Sequence, residues 1–497
     1  MNRALKRISI AALVMFLLLM INLNYVQGFE TTSLANEPFN SRTLAADNKY
    51  QRGEIETADG TVIADSKATG NGEIPYQRAY PQGEVYAPVT GYYSITAGTQ
   101  TGLESAWNSY LSGQSSSLAF RNIIDEITNK TQKGATVVTT INSKAQEAAY
   151  DGLQSVLSGS DRVGGVVAIN YQTGAILAMA SYPSYDPNKL ASLNGDEVNS
   201  YDSQLLKENP SPLLNNATDS TFPPGSTFKV VTSSTWFTQD STRTPQTTVN
   251  SPTTLSLPQT EHVLHNDDDT VCGSGSGTTT IAQAFAESCD TTFAQLGMDV
   301  GTGALNTQAE KFGFNSTLSL SGVSTAASQY TMTASEAETA MTAIGQFDDT
   351  ASALQEAMMS AAIANGGTLM KPYLVQSVQA SDLSNVYSAS SSVLSQAVSS
   401  SVASNVETMM EGVVNDTDGT ANGVTGIHDL GVQIAAKTGT AQNGVNSTGL
   451  NDAVFTCFST NANDPIAVGV IVEGGGFGAA AAAPVAVDVL KAYLGSK

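Results

Sequence analysis

Phe222-Pro223-Pro224-Gly225-Ser226-Thr227-Phe228-Lys229-Val230 is the stretch on which the reading of this chain turns. Two prolines and a glycine break the preceding chain and predict a helix that starts at Ser226. Three residues along a helix returns to nearly the same face, so the Lys229 nitrogen is expected to approach the Ser226 hydroxyl. That juxtaposition has chemical content, because a serine hydroxyl is a weak nucleophile until a neighbouring base takes its proton. The helix start adds unpaired N–H groups and a partial positive charge, both suited to an oxyanion. Among all lysines in the chain, Lys229 alone has a serine three positions before it.

Far downstream, Lys437-Thr438-Gly439-Thr440-Ala441-Gln442 follows the strand-like Gly431 to Ala436. On a strand Lys437 and Gly439 face one way, and the glycine is expected to leave a gap beside the lysine for a substrate backbone. The Thr440 N–H is expected to complete an oxyanion hole with that of Ser226. In this order, S-x-x-K and K-T-G resemble the penicillin-binding protein and serine β-lactamase superfamily. The superfamily's third motif, S-x-N, lies between these two. Here Ala284 to Gly297 has the matching context but reads Ser288-Cys289-Asp290. Ser192-Leu193-Asn194 and Ser459-Thr460-Asn461 fit S-x-N literally but fall outside the interval. Aspartate keeps the size and an acceptor oxygen of asparagine, loses the NH2 donor and, if ionised, adds a charge. That charge is expected to pair with Lys229 or Lys437 and raise its affinity for protons.

The resemblance narrows to class B, the monofunctional transpeptidases, in their actinobacterial form. Arg52-Gly53-Glu54-Ile55 and Arg78-Ala79-Tyr80-Pro81 look like that class's N-terminal signatures. Val137 to Asn142, Gly174 to Ala178, Pro183 to Asn188 and Ile363 to Gly367 resemble its later landmarks. The class implies an α+β fold: a transmembrane helix, a strand-rich pedestal, and a penicillin-binding or serine β-lactamase-like transpeptidase domain whose antiparallel sheet is flanked by helices. The expected boundaries are 1–27 for the anchor, 28–160 for a pedestal of dimerisation-domain type and 161–497 for the transpeptidase domain. The stretch before Asp161 is expected to be too short to hold a glycosyltransferase domain as well.

Residue patterns speak to the same organisation. Arg3, Lys6 and Arg7 precede an apolar run from Ile8 to Leu23, about long enough to cross a bilayer. Positive charge on that side predicts a cytoplasmic N-terminus and a single pass in the cell membrane, with the body of the protein outside the cell; a cleaved signal peptide exports the same body. Asp59-Gly60, Gly70-Asn71-Gly72 and Pro81-Gln82-Gly83 are turn chemistries between short strands. Leu103 to Asn129 reads as helical and Ser143 to Leu157 as a helix. Val163 to Ile169 and Ala175 to Met179 form a hairpin around Gln172-Thr173-Gly174. Thr247 to Thr280 shows no clear regular element, and Ser388 to Ser401 reads as polar surface or loop. Ala351 to Asn365 predicts a helix. Val432 to Thr440, Val454 to Ser459 and Ile466 to Val472 predict strands, and Pro484 to Leu494 a closing helix.

At 497 residues the chain should hold two or three domains, and 41% hydrophobic content is enough for real cores. The formal charge of −23 speaks against nucleic-acid partners. Three histidines and three cysteines leave little room for a histidine triad or a zinc site. Cys272 and Cys289 can pair in an oxidising compartment, which sequence alone does not settle.

For function, the resemblance implies a peptidoglycan D,D-transpeptidase in which Ser226 forms an acyl-enzyme with a stem peptide. Lys229 would be its base and Ser288 the proton relay to the leaving group, with Asp290 beside them. Lys437, Thr438 and Thr440 would hold the substrate carboxylate, with Gly439 shaping that edge. No metal or cofactor is implied. Expected partners are stem peptides and their lipid-linked precursor, β-lactams acting as substrate mimics, and a membrane glycan polymerase of SEDS type. The alternatives are a D,D-carboxypeptidase and a catalytically weak scaffold or β-lactam sensor.

Overall fold

The computed structural model describes residues 3–26, 50–72, 74–118, 133–442 and 450–495. Helix α1 (Arg3–Tyr25) is apolar, exposed and, at about 1.5 Å per residue, long enough to cross a membrane. Strands β1 (Ile55–Glu56), β2 (Val62–Ala68), β3 (Tyr76–Ala79) and β4 (Thr136–Thr139) follow, then helix α2 (Ser143–Leu157) and the hairpin β5 (Gly164–Ile169) and β6 (Ile176–Tyr182). Next come α3 (Lys229–Gln239), α4 (Asp290–Val300) and α5 (Ala353–Ala364). Strands β7 (Val375–Gln379) and β8 (Asn385–Ser388), helix α6 (Ser400–Asn415), strands β9 (Ile434–Ala441), β10 (Asp452–Ser459) and β11 (Ala467–Val472), and helix α7 (Gly478–Leu494) complete the main frame.

Two sheets organise these elements. The larger runs β8-β7-β4-β1-β2-β3, parallel only between β1 and β4. Its last two strands come from residues 375–388, so a hairpin of the C-terminal half completes the sheet that the N-terminal half begins. The predicted division at 160/161 therefore runs through this sheet, with four of its strands before the boundary and two after it. Local patterns carry no sign of the join, because strand pairing across more than two hundred residues is a tertiary event.

The second sheet is antiparallel, in the order β9-β10-β11-β5-β6, and matches the expected helix-flanked sheet. Helices cover both of its faces. Gly164 abuts Leu153 and Leu157 of α2, whereas its neighbour Gly165, pointing the other way, abuts Asn216 and Ala217. Helix α7 joins α2 on the first face, and α5 and α6 pack on the second. The interior strand β10 is consequently buried along its whole length.

Within the pedestal, Glu104 is fully buried between Arg52 (2.7 Å) and Arg78 (2.6 Å) and accepts a bond from the Tyr80 hydroxyl at 3.2 Å. Burial by itself would raise the Glu104 pKa, yet the two guanidiniums hold it below the ordinary carboxylate range. This knot ties together the two arginine signatures noticed in the sequence.

Three expectations need correction. The helix predicted over 103–129 is instead two short helices, Gly102–Ala106 and Asn108–Leu111, separated where Trp107 packs on Tyr387 and donates to the Ser321 carbonyl at 2.8 Å; residues 119–132 lie outside those described. Thr247 to Thr280 contains two ribbons, Thr248–Asn250 with Thr278–Thr280 and Thr254–Ser256 with Val263–His265. Strands of three residues are too short for a periodic signal. Ser388 to Ser401 holds the strand Val393–Gln396, paired with Thr368–Met370, and Ser399, which caps α6 by accepting from the Val402 N–H.

Candidate active site

The turn that bears Ser226 is a single 3-10 turn, Gly225–Phe228, which passes directly into α3 at Lys229. Neighbouring elements hold it from several sides. Gly225 N donates to Gly345 O at 2.9 Å, with φ of +56° suited to glycine, and Phe222 exchanges backbone bonds with Ala351. Buried Phe228 stacks on Tyr330, and Thr227 Oγ1 lies 2.8 Å from Pro224 O and 3.0 Å from Glu356 Oε1. The result is a half-buried Ser226 at the wall of a cleft of about 600 Å3. Ser288, Thr438, Thr440, Thr420 and Asn266 also line this cleft.

Behind the wall sits a compact polar cluster. Lys229, fully buried, donates to Ser288 O (2.7 Å), Ser288 Oγ (3.2 Å) and Asp290 Oδ1 (2.6 Å). An ammonium has three N–H donors, so all three are engaged by the Ser288–Asp290 segment and none is spent on Ser226. This corrects the simple expectation that the lysine nitrogen rests against the serine hydroxyl. From the other side, Lys437 Nζ donates to the same Ser288 Oγ at 2.7 Å and to Thr438 O at 3.1 Å. Ser288 thus bridges the two lysines, and its backbone takes the unusual φ of +62°, a left-handed conformation rare for a residue with a Cβ. Phe293 and Phe285 offer their rings to Lys229 and Lys437, each 5.5 Å from ring centre to nitrogen.

Asp290 chooses between the lysines. It forms its ion pair with Lys229, while Lys437 is driven well below the ordinary amine range, first by burial and then by the nearby charge of Lys229; Asp290 and Asp267 counter this only in part. Asp290 therefore acts on Lys437 in the expected direction, but burial and the charge of Lys229 outweigh it.

Gly439 also plays a different part from the one read in the sequence. A Cβ there would lie 2.8 Å from Pro224 O, 2.9 Å from Val454 Cβ and 3.1 Å from Thr227 Cγ2. The absent side chain makes room for the nucleophile turn, not for substrate, and lets β9 press against it. Thr440 and Thr438 do face the cleft, and Thr438 shares a 2.7 Å hydroxyl contact with Thr420.

Cys272 and Cys289 are joined in a disulfide, with Cα atoms 6.2 Å apart. This ties the loop that supplies Asn266, Asp267, Thr270 and Val271 to the cleft directly onto the motif carrying Ser288 and Asp290. Cys457 is buried in β10. Sequence reasoning missed Thr420, Asp418, Asn266 and Phe477 in the cleft wall, since none carries a local motif, and Glu356 beneath the turn, which looked like one more residue of a helix.

The family described as the penicillin binding protein transpeptidase domain matches residues 164–491, which include every group in this cluster. The chain belongs to the penicillin-binding protein transpeptidase family. The penicillin binding protein A dimerisation domain matches residues 52–137, the region of the arginine knot and the first sheet. Among relatives of this family, the chain is 38% identical over 503 aligned residues, 99% of each chain, to the peptidoglycan D,D-transpeptidase PbpA of Mycobacterium tuberculosis. It is 37% identical, again over 99% of each, to PbpA of Mycolicibacterium smegmatis. The structure superposes on penicillin-binding protein A of M. tuberculosis in its ceftriaxone acyl-enzyme complex with a TM-score of 0.83, at 36% identity, over 90% of this chain and 99% of that one. A D,D-transpeptidase domain from Eggerthella lenta gives 0.73 at 32% identity, covering 90% and 99%.

Proposed function

We propose that this penicillin-binding protein is a peptidoglycan D,D-transpeptidase that works through an acyl-enzyme on Ser226 and is acylated there by β-lactams. Ser226 Oγ bonds to the carbonyl carbon of the penultimate D-Ala of a stem peptide. The C–N bond to the terminal D-Ala breaks, and that D-Ala leaves with the proton given up by the serine. An amine of a neighbouring stem then attacks the ester, forms the cross-link and returns a proton to Ser226.

The observation that carries the assignment of roles is the Ser288 hydroxyl with both lysines on it. Accepting from two lysines fills both lone pairs of Ser288 Oγ and turns its own O–H outward. That proton is the one assigned to the leaving amine, and Lys437, with its affinity for protons lowered by burial, replenishes or absorbs it. Lys229 serves as base to Ser226 as the neutral amine, after one of its protons has passed along Ser288 Oγ to Lys437 and one of its bonds to the Ser288–Asp290 segment has been given up. Thr438 and Thr440 receive the substrate carboxylate, and the N–H groups of Ser226 and Thr440 receive the oxyanion.

The anchor (1–27), pedestal (28–160) and transpeptidase domain (161–497) are our division of the chain, with a single membrane pass at α1, a cytoplasmic N-terminus and the catalytic cleft outside the cell. A SEDS-type glycan polymerase in the same membrane is the partner that the family likeness suggests, supplying the uncross-linked strands. The test is partition of a D-Ala-D-Ala stem-peptide donor between water and an added stem-peptide amine. Cross-linked dimer growing with amine concentration supports transpeptidation; release of D-Ala without dimer at any amine concentration makes the protein a carboxypeptidase.

A further inference from the structure

The buried acid Glu356 has no place in the scheme above, and its surroundings are unusual. It projects from α5 to the underside of the Ser226 turn, is fully buried, and leaves Oε2 without a hydrogen-bond partner. Helix α5 is seated so closely on the sheet that a Cβ on Gly469 of β11 would meet Ala353 O and Ala357 N at 2.4 Å and Glu356 Cβ at 2.7 Å. Oε1 lies 3.0 Å from Thr227 Oγ1, which in turn lies 2.8 Å from Pro224 O. A threonine hydroxyl has one hydrogen, a backbone carbonyl can only accept, and an ionised carboxylate can only accept. With Glu356 ionised, two acceptors would compete for one proton in a buried place, and one would go without. With a proton on Oε1 that competition ends, and Oε2 stays buried as an uncharged carbonyl oxygen rather than as part of a carboxylate.

We infer that Glu356 is a positioning residue, donating its carboxyl proton to Thr227 Oγ1 so that Thr227 donates to Pro224 O and fixes the height of Ser226 in the cleft. Pro224 O is the same atom that lies 2.8 Å from the Cβ position of Gly439, so this relay sets the turn against the strand of the K-T-G motif. Burial pushes the Glu356 carboxyl up to about 8, opposed only by the Thr227 bond, which keeps it protonated at neutral pH. The titratable groups on the elements packed around it are Lys229 on the nucleophile helix, Lys437 on β9, Asp452 and Cys457 on β10, and Glu407 and Glu411 on α6. None of them pairs with Glu356, and only burial and Thr227 act on its carboxyl. Above about pH 8 the relay loses its proton and the turn loses its support from below.

This inference rests on Ser226 being the acylated residue, and the test separates the two. The rate of penicillin acylation is followed by intact mass on the full-length chain in detergent, from pH 6 to 9.5, for the wild type, Glu356→Gln and Glu356→Leu. Leucine cannot donate, and loss of the buried bond slows acylation about tenfold at pH 7. Glutamine donates from the same place through its amide and restores the rate. The ratio of Glu356→Gln to wild type then rises as pH passes 8, because only the wild type has a proton to lose. A glutamine variant as slow as the leucine variant, or a ratio that stays flat to pH 9.5, overturns the inference. Should Glu356→Leu not fold, the Glu356→Gln to wild-type ratio decides by itself. A wild type that takes up no label on Ser226 removes the acyl-enzyme reading, and this inference with it.

Discussion

Replacing Asp290 by asparagine should make this enzyme faster. Asp290 Oδ1 lies 2.6 Å from Lys229 Nζ, with the lysine fully buried and the carboxylate side chain 17% exposed. Asparagine keeps the acceptor oxygen and nearly the same volume, so Lys229 retains a partner but loses the charge. The ammonium keeps a charge-assisted bond to the amide oxygen, so the part lost is the ion-pair attraction, about 1–1.5 kcal/mol for a pair between the exposed (about 0.2–1) and buried (about 3–5) cases. Partial exposure of Asp290 argues for the lower end of that range. If Lys229 must give up a proton along with this bond before it can take the Ser226 proton, the barrier falls by the same amount, and acylation accelerates about five- to tenfold. Rapid-quench acylation with a fluorescent penicillin, read under pseudo-first-order conditions, gives the rate constant, and intact mass gives the stoichiometry. Equal stoichiometry with a five- to tenfold larger rate is the expected result. A rate unchanged or slower in Asp290→Asn would refute the reasoning, since the ion pair would then be no brake on the chemical step.

Two other substitutions probe the frame around the site. Gly439→Ala places a methyl group 2.8 Å from Pro224 O and 2.9 Å from Val454 Cβ. Overpacking of this kind costs about 1–3 kcal/mol, measurable by urea unfolding. Because the strain falls on the turn bearing Ser226, acylation should also drop between about ten- and a hundredfold in protein that is still folded. Gly303→Ala, whose added Cβ meets nothing within 4 Å in the helix Thr302–Lys311, is the control: it should leave acylation unchanged and raise stability by about 0.4–1 kcal/mol. In the pedestal, Glu104→Gln leaves Arg52 and Arg78 buried without their shared counter-charge. Its unfolding free energy should fall by about 3–5 kcal/mol, with penicillin acylation unaffected at temperatures where the variant remains folded.

Much of this architecture could be read from the sequence where the signal is local. The apolar run that became α1, the hairpin β5–β6, the last three strands and helix α2 all announce themselves by continuous or periodic hydrophobicity. Ser226, Lys229, Ser288 and Lys437 stand in motifs, and the structure joins Lys229 and Lys437 at the Ser288 hydroxyl while Ser226 lines the same cleft as Ser288. What could not be read depends on contacts across the chain. The choice of Asp290 for Lys229 over Lys437 follows from how α3 packs on α4, and the depressed proton affinity of Lys437 follows from burial that no spacing reveals. Gly439 looked like room for substrate until its neighbours Pro224 and Thr227 were in view. Glu356 resembled an ordinary helix residue, because its meaning lies in a threonine 129 positions away. The ribbons within 247–280 were too short for a period and are held in place partly by the Cys272–Cys289 bond.

The most direct test of the central claim is intact-mass and peptide-mapping analysis of the full-length chain after incubation with penicillin G, beside a Ser226→Ala variant. One penicilloyl adduct per chain, located on Ser226 and lost in the alanine variant, is the result the acyl-enzyme account predicts. An adduct that persists in Ser226→Ala, or a folded wild type that acquires none, would contradict it.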